Sequence, residues 1–451
     1  MKTNGKWQTI PLLRVALFLI TGMLTSVYLL KFIVIEILFI LFALAFILTV
    51  LSYRRRVLQS VLLSLTIILF GAVRMGIVQT KHTDAYTQSA DVSYFQTTSH
   101  RILLLRERLL CQYEEYDFSE EQLTLIYAIT LGDKSLLTKE IRNGFSISGS
   151  SHVLALSGLH AGIVFTLFYL LFRCLFFFIQ RYQSRESMTL LCTLPSIWFF
   201  ALLTGSSPSV IRATVMLTVY SLARLLSREG ISLNVLSFAA VIMLVINPLD
   251  LYDIGFQLSF LAVFAILVVY KKNVNIFQNI SNPIIKWMWQ MFVLSSAAQL
   301  GTAPLAAFYF HQFSLMYFLS NLIIIPCVTL LLYLSIFFLL FSLFPLLQGC
   351  ISVIMKWTLS VMQCYNDWCA SLPHPVIKDI HWTVGQLLAI YGLIISVFLI
   401  IRFLTLVKGV QEYAMWVTDR SPEPPDAQSK YPGLPVRHIR TLSFNTWDSE
   451  F

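Results

Sequence analysis

Charge is what this chain has least of. Only 12% of its 451 residues are Asp, Glu, Lys or Arg, where a soluble globular protein carries roughly 25%. A water-soluble core of this size would lack the polar surface to cover it. The shortage excludes an ordinary cytosolic enzyme, a nucleic-acid-binding domain in solution and a disordered scaffold. Paired cysteines are missing too. None of Cys111, Cys174, Cys192, Cys327, Cys350, Cys364 and Cys369 forms a C-x-x-C, and the C-x4-C of Cys364 and Cys369 has no second pair. They read as small apolar fillers, and no metal site is expected. No G-x-x-x-x-G-K-[ST] occurs, so the chain carries no P-loop of its own. No cofactor is expected, and the chain is not read as an enzyme.

What is present is apolar: 57% of residues are hydrophobic and the mean hydropathy is +0.74. The expected fold is an all-α polytopic integral membrane protein with about 10–12 transmembrane helices, since one span needs about 20 apolar residues. Some of these helices should be broken, and at least one amphipathic helix should lie in the interface. The first thirty residues look like a signal sequence but are expected to stay uncleaved. Arg14 interrupts the apolar run and no A-x-A-like site follows. Spans are expected near 10–30 and 32–51, turning at Lys31, then near 57–77 after Arg54, Arg55 and Arg56. Residues 79–150 hold no stretch long enough to cross. Within them, segment 99–113 sets Ile102, Leu105, Leu109 and Tyr113 at helical spacing, with Arg101, Arg106 and Arg108 elsewhere on the wheel. Such a helix lies in the interface or packs on its neighbours.

Further spans are expected near 151–179, 188–204, 210–226, 232–247, 255–270, 287–305, 314–343 and 384–407. Cationic clusters check the direction of each. With a cytoplasmic N-terminus and Arg54–Arg56 inside, the groups Arg181/Arg185, Arg224/Arg228 and Lys271/Lys272/Lys286 all fall on inside turns. Segments 204–209 and 247–253 fall outside. The net charge of +9 and pI near 9.1 are therefore explained largely by inside loops, not by nucleic acid. Segment 314–343 contains Pro326 and reads as one broken span or two. Segment 350–371 either spans or lies flat. The expected organisation is a three-span region over 1–78, a short extracytoplasmic segment over 79–119, a core over 120–345, C-terminal helices over 346–410 and a Pro-rich polar tail over 411–451 that is disordered.

Polar residues at membrane depth need a reason, and four clusters stand out. The first is LGDKSLLTKEI at 131–141 with SGSSHVLALSGLHAG at 148–162. It holds His152, Ser157 and His160, and a G-x-x-x-G of Gly158 and Gly162 that permits close helix approach. His152 and His160 fall on different faces if the helix is unbroken. The second is LLTGSSPSVIRATVM at 202–216, where Gly205, Ser206, Ser207 and Pro208 break the chain between two spans and Arg212 follows within one turn. A free helix start beside an arginine favours an anion; a capped end with a snorkelling arginine is the plainer reading. The third is NPLDLYDIGFQLSFLAV at 247–263, with Asp250, Asp253, Gly255 and Gln257. Asp253 can be a routine N-cap, whereas a buried Gln257 needs partners. The fourth is SSAAQLGTAPLAAFYFHQFSLMYFLSNLIIIP at 295–326. There Gln299, Gly301 and Pro304 are expected to interrupt one span, with His311 and Gln312 at its outer end and Pro326 in the next. Broken polar helices are tolerated only against protein or a water-filled path, as transporters and channels use them.

In order and spacing these segments resemble the ComEC-type DNA-internalisation competence proteins, over roughly residues 120–345. The resemblance implies a multi-pass protein of the bacterial inner membrane that passes single-stranded DNA into the cytoplasm during natural transformation. It also implies a periplasmic DNA receptor, a separate nuclease and a cytoplasmic single-strand-binding or helicase partner, with a homo-oligomer as a further option. Two features of many members are not expected here. Residues 79–119 are too short for an OB-fold. The histidines at 82, 100, 152, 160, 311, 374, 381 and 438 form no H-x-H-x-D-H of a metallo-β-lactamase-like domain. His152, Ser157, His160, Ser206, Ser207, Arg212, Asp253, Gln257, Gln299 and His311 are the candidate path residues. Phe256, Phe260, Phe308, Tyr309 and Phe310 are candidate stacking surfaces. Gly158, Gly162, Gly205, Pro208, Gly255, Gly301, Pro304 and Pro326 are candidates for helix breaks or close packing. The alternatives are transport of another anionic solute, a vestigial member, or an intramembrane hydrolase built on Ser157, His160 and Asp133.

Overall fold

A computed structural model describes residues 11–29, 35–53, 55–84, 93–154, 156–226, 232–273, 282–373 and 375–418. Almost all of it is helix. The turn at Lys31 and residues 419–451 of the expected disordered tail lie outside the described residues, while the tail's first residues, 411–418, are the end of the helix Val384–Thr418 rather than disordered. Among the described residues, seven helices are long and apolar enough to cross a membrane: 56–79 within α3 (Arg56–Asp84), α8 (Gly158–Leu175), α9 (Tyr182–Leu203), α13 (Pro283–Phe310), α14 (Tyr317–Leu340), α15 (Pro345–Ser371) and 384–401 within α16 (Val384–Thr418). Shorter apolar stretches lie in α1 (Pro11–Leu29), α2 (Ile35–Leu51), α11 (Leu233–Ile246) and α12 (Ile254–Asn273). α10 (Pro208–Leu225) joins them in the same assembly. The chain is an all-α polytopic membrane protein.

Residues 1–381 form one compact unit, and the stretch from Trp382 forms a second. In the first, three apolar cores are visible. One gathers α1, α3, α11 and α12 around Leu19, Met23, Met75, Leu244 and Phe256. A second joins α8, α9 and α10 through Val164, Ile197 and Val210. The third is built on α14 and α15 and takes in Tyr113, Ile129 and Phe145 from the 93–147 segment. In the second unit, Thr383 and Gln386 cap the start of α16 reciprocally: the Thr383 amide donates to Gln386 Oε1 at 2.8 Å and the Gln386 amide to Thr383 Oγ1 at 3.3 Å.

Glycine sets how closely α1 and α3 cross. A Cβ on Gly22 would overlap the Ile68 carbonyl, and one on Gly71 would overlap the Leu19 carbonyl. Both obstacles are backbone, so neither can rotate away. Gly71→Ala is expected to destabilise the purified protein by about 1–3 kcal/mol, the usual range for overpacking. Thermal unfolding in detergent would register this; an unchanged midpoint would refute the close crossing.

The 93–113 segment forms α4 (Ser93–Glu114). Its C-terminal half is packed inward: Leu110 and Tyr113 are buried, and the Tyr113 ring stacks on Phe338 with centroids 4.7 Å apart. Leu104 and Leu105 stay exposed.

Candidate functional site

The first cluster begins at α5 (Glu120–Ile126), which starts on a Ser119/Gln122 capping box and ends as a wider π turn, Tyr127–Leu131. Gly132 stops that turn in the left-handed conformation, φ 73°. A Cβ there would overlap the Leu156 side chain and lie 3.1 Å from the Thr204 carbonyl oxygen. Asp133 accepts from the Ser135 amide at 3.0 Å and pairs with Arg106 of α4 at 3.2 Å. Arg106 Nη1 in turn lies 3.6 Å from the position a Gly205 Cβ would take. Burial pushes the Asp133 carboxyl up, but the Ser135 hydrogen bonds and Arg106 outweigh it and leave it below the ordinary value. Because the folded value is the depressed one, the contribution is present above the unfolded pKa and is lost as pH falls through the folded one. Stability should therefore decline with acidification below the ordinary Asp range, and Asp133→Asn should flatten that part of the profile.

Between α7 (Ser151–Leu154) and α8 the helix is broken at Ser157, the N-cap of α8. The Ser157 amide donates to His160 Nδ1 at 3.2 Å, and Ser157 Oγ lies 3.0 Å from the same nitrogen. An amide can only donate, so Nδ1 accepts and the ring proton sits on Nε2. His160 is fully buried, and its Nε2 has no hydrogen-bond partner among the described residues. The chain breaks between the two histidines, so the unbroken-helix condition is not met: His152 is exposed while His160 is buried. The two glycines differ. A Cβ added to Gly158 would lie 3.3 Å from that of Ala213 of α10, while one added to Gly162 would have nothing within 4 Å. Asp133, the acid that a hydrolase reading needs, is engaged by Arg106.

The second break falls where expected. Gly205 and Ser206 are both left-handed, φ 75° and 53°, and Pro208 opens α10. Arg212 is buried, but its guanidinium is already held: Nη1 lies 2.7 Å from Asp253 Oδ2. The same oxygen accepts the Phe256 amide at 2.8 Å, so Asp253 both caps and pairs. Gly255 makes room, because a Cβ there would overlap Arg212 Nη2. Ser207 Oγ, Arg212 Nε and Thr214 Oγ1 are buried without hydrogen-bond partners among the described residues. Gln257 finds partners on both sides, donating to the Leu251 carbonyl at 2.9 Å and accepting from the Tyr309 hydroxyl at 3.2 Å. At Asp250, burial pushes the carboxyl above its ordinary value despite the Asn247 side chain.

The fourth cluster is corrected most. α13 runs unbroken through Gln299, Gly301 and Pro304, and α14 runs unbroken through Pro326. Gly301 is a packing glycine: a Cβ would lie 2.7 Å from that of Ala265 and 2.9 Å from the Leu261 carbonyl oxygen. Gln299 is half-buried in the same helix. His311 ends α13 with φ 57°, its ring hydrogen-bonded to the Ile380 carbonyl at 3.0 Å and 4.9 Å from the His381 ring. Gln312 and Ser314 reach back to Ser146 and the Ile147 carbonyl. Of the candidate aromatics, Phe256 is buried against Phe260, Phe308 lies against Tyr309, and Phe310 is exposed.

Contacts therefore link three clusters into one region: Asp133 to Arg106 to Gly205, Gly132 to Leu156 and Thr204, Gly158 to Ala213, and Arg212 to Asp253. Tyr309, in the middle of the fourth, ties it to this region through Gln257. Sequence reasoning used Arg106 only as a polar-face residue of an amphipathic helix. Its pairing with Asp133 had no local signal.

A family model described as "Competence protein" matches residues 129–404. ComE operon protein 3 of Bacillus subtilis is 31% identical over 51% of this chain and 28% of its own length. Recombination protein 2 of Haemophilus influenzae is 25% identical over 48% of this chain and 28% of its own. A protein of Aquifex aeolicus is 32% identical over 45% of this chain and 44% of its own. The chain thus matches less than half the length of each of these relatives. No solved structure matches it. With more than half of its residues inside the family match, the chain belongs to the Competence protein family.

Proposed function

We propose that this chain is the membrane core through which a single strand of DNA enters the cytoplasm during natural transformation. It sits in the inner membrane with its N-terminus in the cytoplasm. The observation that carries this reading is the linked region around the breaks at Ser157 and Gly205. It gathers His160 Nε2, Ser207 Oγ, Arg212 Nε and Thr214 Oγ1, all buried and without hydrogen-bond partners among the described residues, in or at the start of helices of a membrane protein. Each such atom is unfavourable by about 1–3 kcal/mol, and a polar passenger would offset that. Family membership supports DNA as the passenger. A periplasmic receptor would deliver the strand on the 204–209 side, and a separate nuclease and a cytoplasmic single-strand-binding or helicase partner would act around it.

The test is uptake of labelled DNA into the cytoplasm of a transformable host. Deleting the gene should leave label outside the cytoplasmic membrane. Undiminished entry, with no second family member in the genome, would overturn the reading.

A further inference from the structure

A second charged cluster joins α8, α9 and α10 on the side that the sequence places in the cytoplasm. The Glu186 side chain is only 6% exposed. Its Oε2 accepts the Tyr169 hydroxyl at 2.8 Å and Arg173 Nη1 at 3.3 Å, and its Oε1 pairs with Arg224 Nη2 at 2.7 Å. Each arginine also lies beside tyrosine. Arg173 stands 5.9 Å and 5.8 Å from the ring centres of Tyr169 and Tyr182, and Arg224 stands 5.8 Å from that of Tyr220.

The charges do not cancel. Glu186 is the one acidic residue between positions 158 and 226, and Arg181 and Arg185 precede it. One guanidinium would neutralise a buried carboxylate, yet two are present. Their side chains stay 34% and 29% exposed while the carboxylate between them is covered. Each arginine thus keeps a water-facing edge for a second anion. Guanidinium binds carboxylate and phosphate with the same planar fork. Arginine beside exposed aromatic rings is also the combination that holds single strands without reading sequence.

We propose that Arg173 and Arg224 form a phosphodiester site at the cytoplasmic exit, with Glu186 as a resident carboxylate that an arriving phosphate displaces and Tyr182 as a stacking surface. This rests on the reading that a strand passes. Exchange of one anion for another would hold the strand briefly without trapping it.

The test uses the purified full chain in zwitterionic nanodiscs with a short fluorescent oligothymidylate. Glu186→Gln keeps the shape and removes the competing charge, so binding should tighten about tenfold, as for one unit charge at a partly screened site. Replacing both arginines by glutamine should lower the salt slope by about 1.4, two phosphate contacts at about 0.7 each. Tyr182 is 59% exposed, so Tyr182→Ala should fold normally and bind about fivefold or more weakly, as expected for one lost stacking partner. This keeps the proposal falsifiable if the charge variants misfold. Folded Glu186→Gln that binds no tighter would make the cluster a structural staple and overturn the site. Wild-type protein that does not bind the oligonucleotide at all would instead overturn the strand-passing reading. If nanodiscs containing anionic lipid abolish every difference among the variants, the arginines hold lipid headgroups and the site is likewise overturned.

Discussion

Asp253→Ala is expected to reduce DNA entry at least tenfold and to lower the thermal midpoint of the purified protein. Arg212 is the reason. Its side chain is 8% exposed, and Asp253 Oδ2 at 2.7 Å is its ion-pair partner. Removing one member of a buried pair costs about 3–5 kcal/mol. Asp253 is 48% exposed, so water screens part of the pair, and about 2 kcal/mol is the better figure. The lost cap on the Phe256 amide adds about 1 kcal/mol. Together these unbalance the α10–α12 contact beside Gly255.

Stability and transport should separate in a second variant. Adding Arg212→Met to Asp253→Ala removes the stranded charge and should recover most of the midpoint. Passage should stay low if the guanidinium serves the strand. Recovery of both would make Arg212 a structural pair alone, and an Asp253→Ala protein as stable as wild type would refute the buried-charge argument.

The fold was largely legible because a membrane leaves few options: apolar runs of sufficient length must be helices, and cations sort them by side. Breaks at Ser157 and Gly205 were legible for a local reason. Serine and glycine compete with or abandon helical geometry, and Pro208 can open a helix. Pro304 and Pro326 misled by the same local reasoning. Proline removes one amide, but in a membrane helix neighbours take up the freed carbonyl, and α13 stays continuous while Gly301 seats it on α12. Arg212 was found as an arginine after a break, but its partner lies 41 residues away. No periodicity reports such a pairing. Glu186 was hidden for a related reason. It sits in RYQSRES, which reads as an ordinary charged inside turn, and only the packing of three helices buries it.

Gly132→Ala should be among the most damaging conservative substitutions in the chain, and Gly162→Ala among the mildest, although both belong to the same motif region. Gly132 holds φ 73°, a region that disfavours a side chain by about 1–2 kcal/mol. Its Cβ would also meet Leu156 and the Thr204 carbonyl, adding about 1–3 kcal/mol of overpacking. Those contacts join the LGD turn to both breaks, so the loss should reach DNA entry as well as the thermal midpoint. Gly162 lies inside α8 with nothing within 4 Å of an added Cβ. Alanine there should stabilise the helix by up to about 1 kcal/mol. The pair separates two meanings of glycine that sequence alone merges: a forced backbone turn with a close neighbour, and a tolerated gap. Equal damage from both would show that the G-x-x-x-G pair, not the turn at Gly132, organises the region.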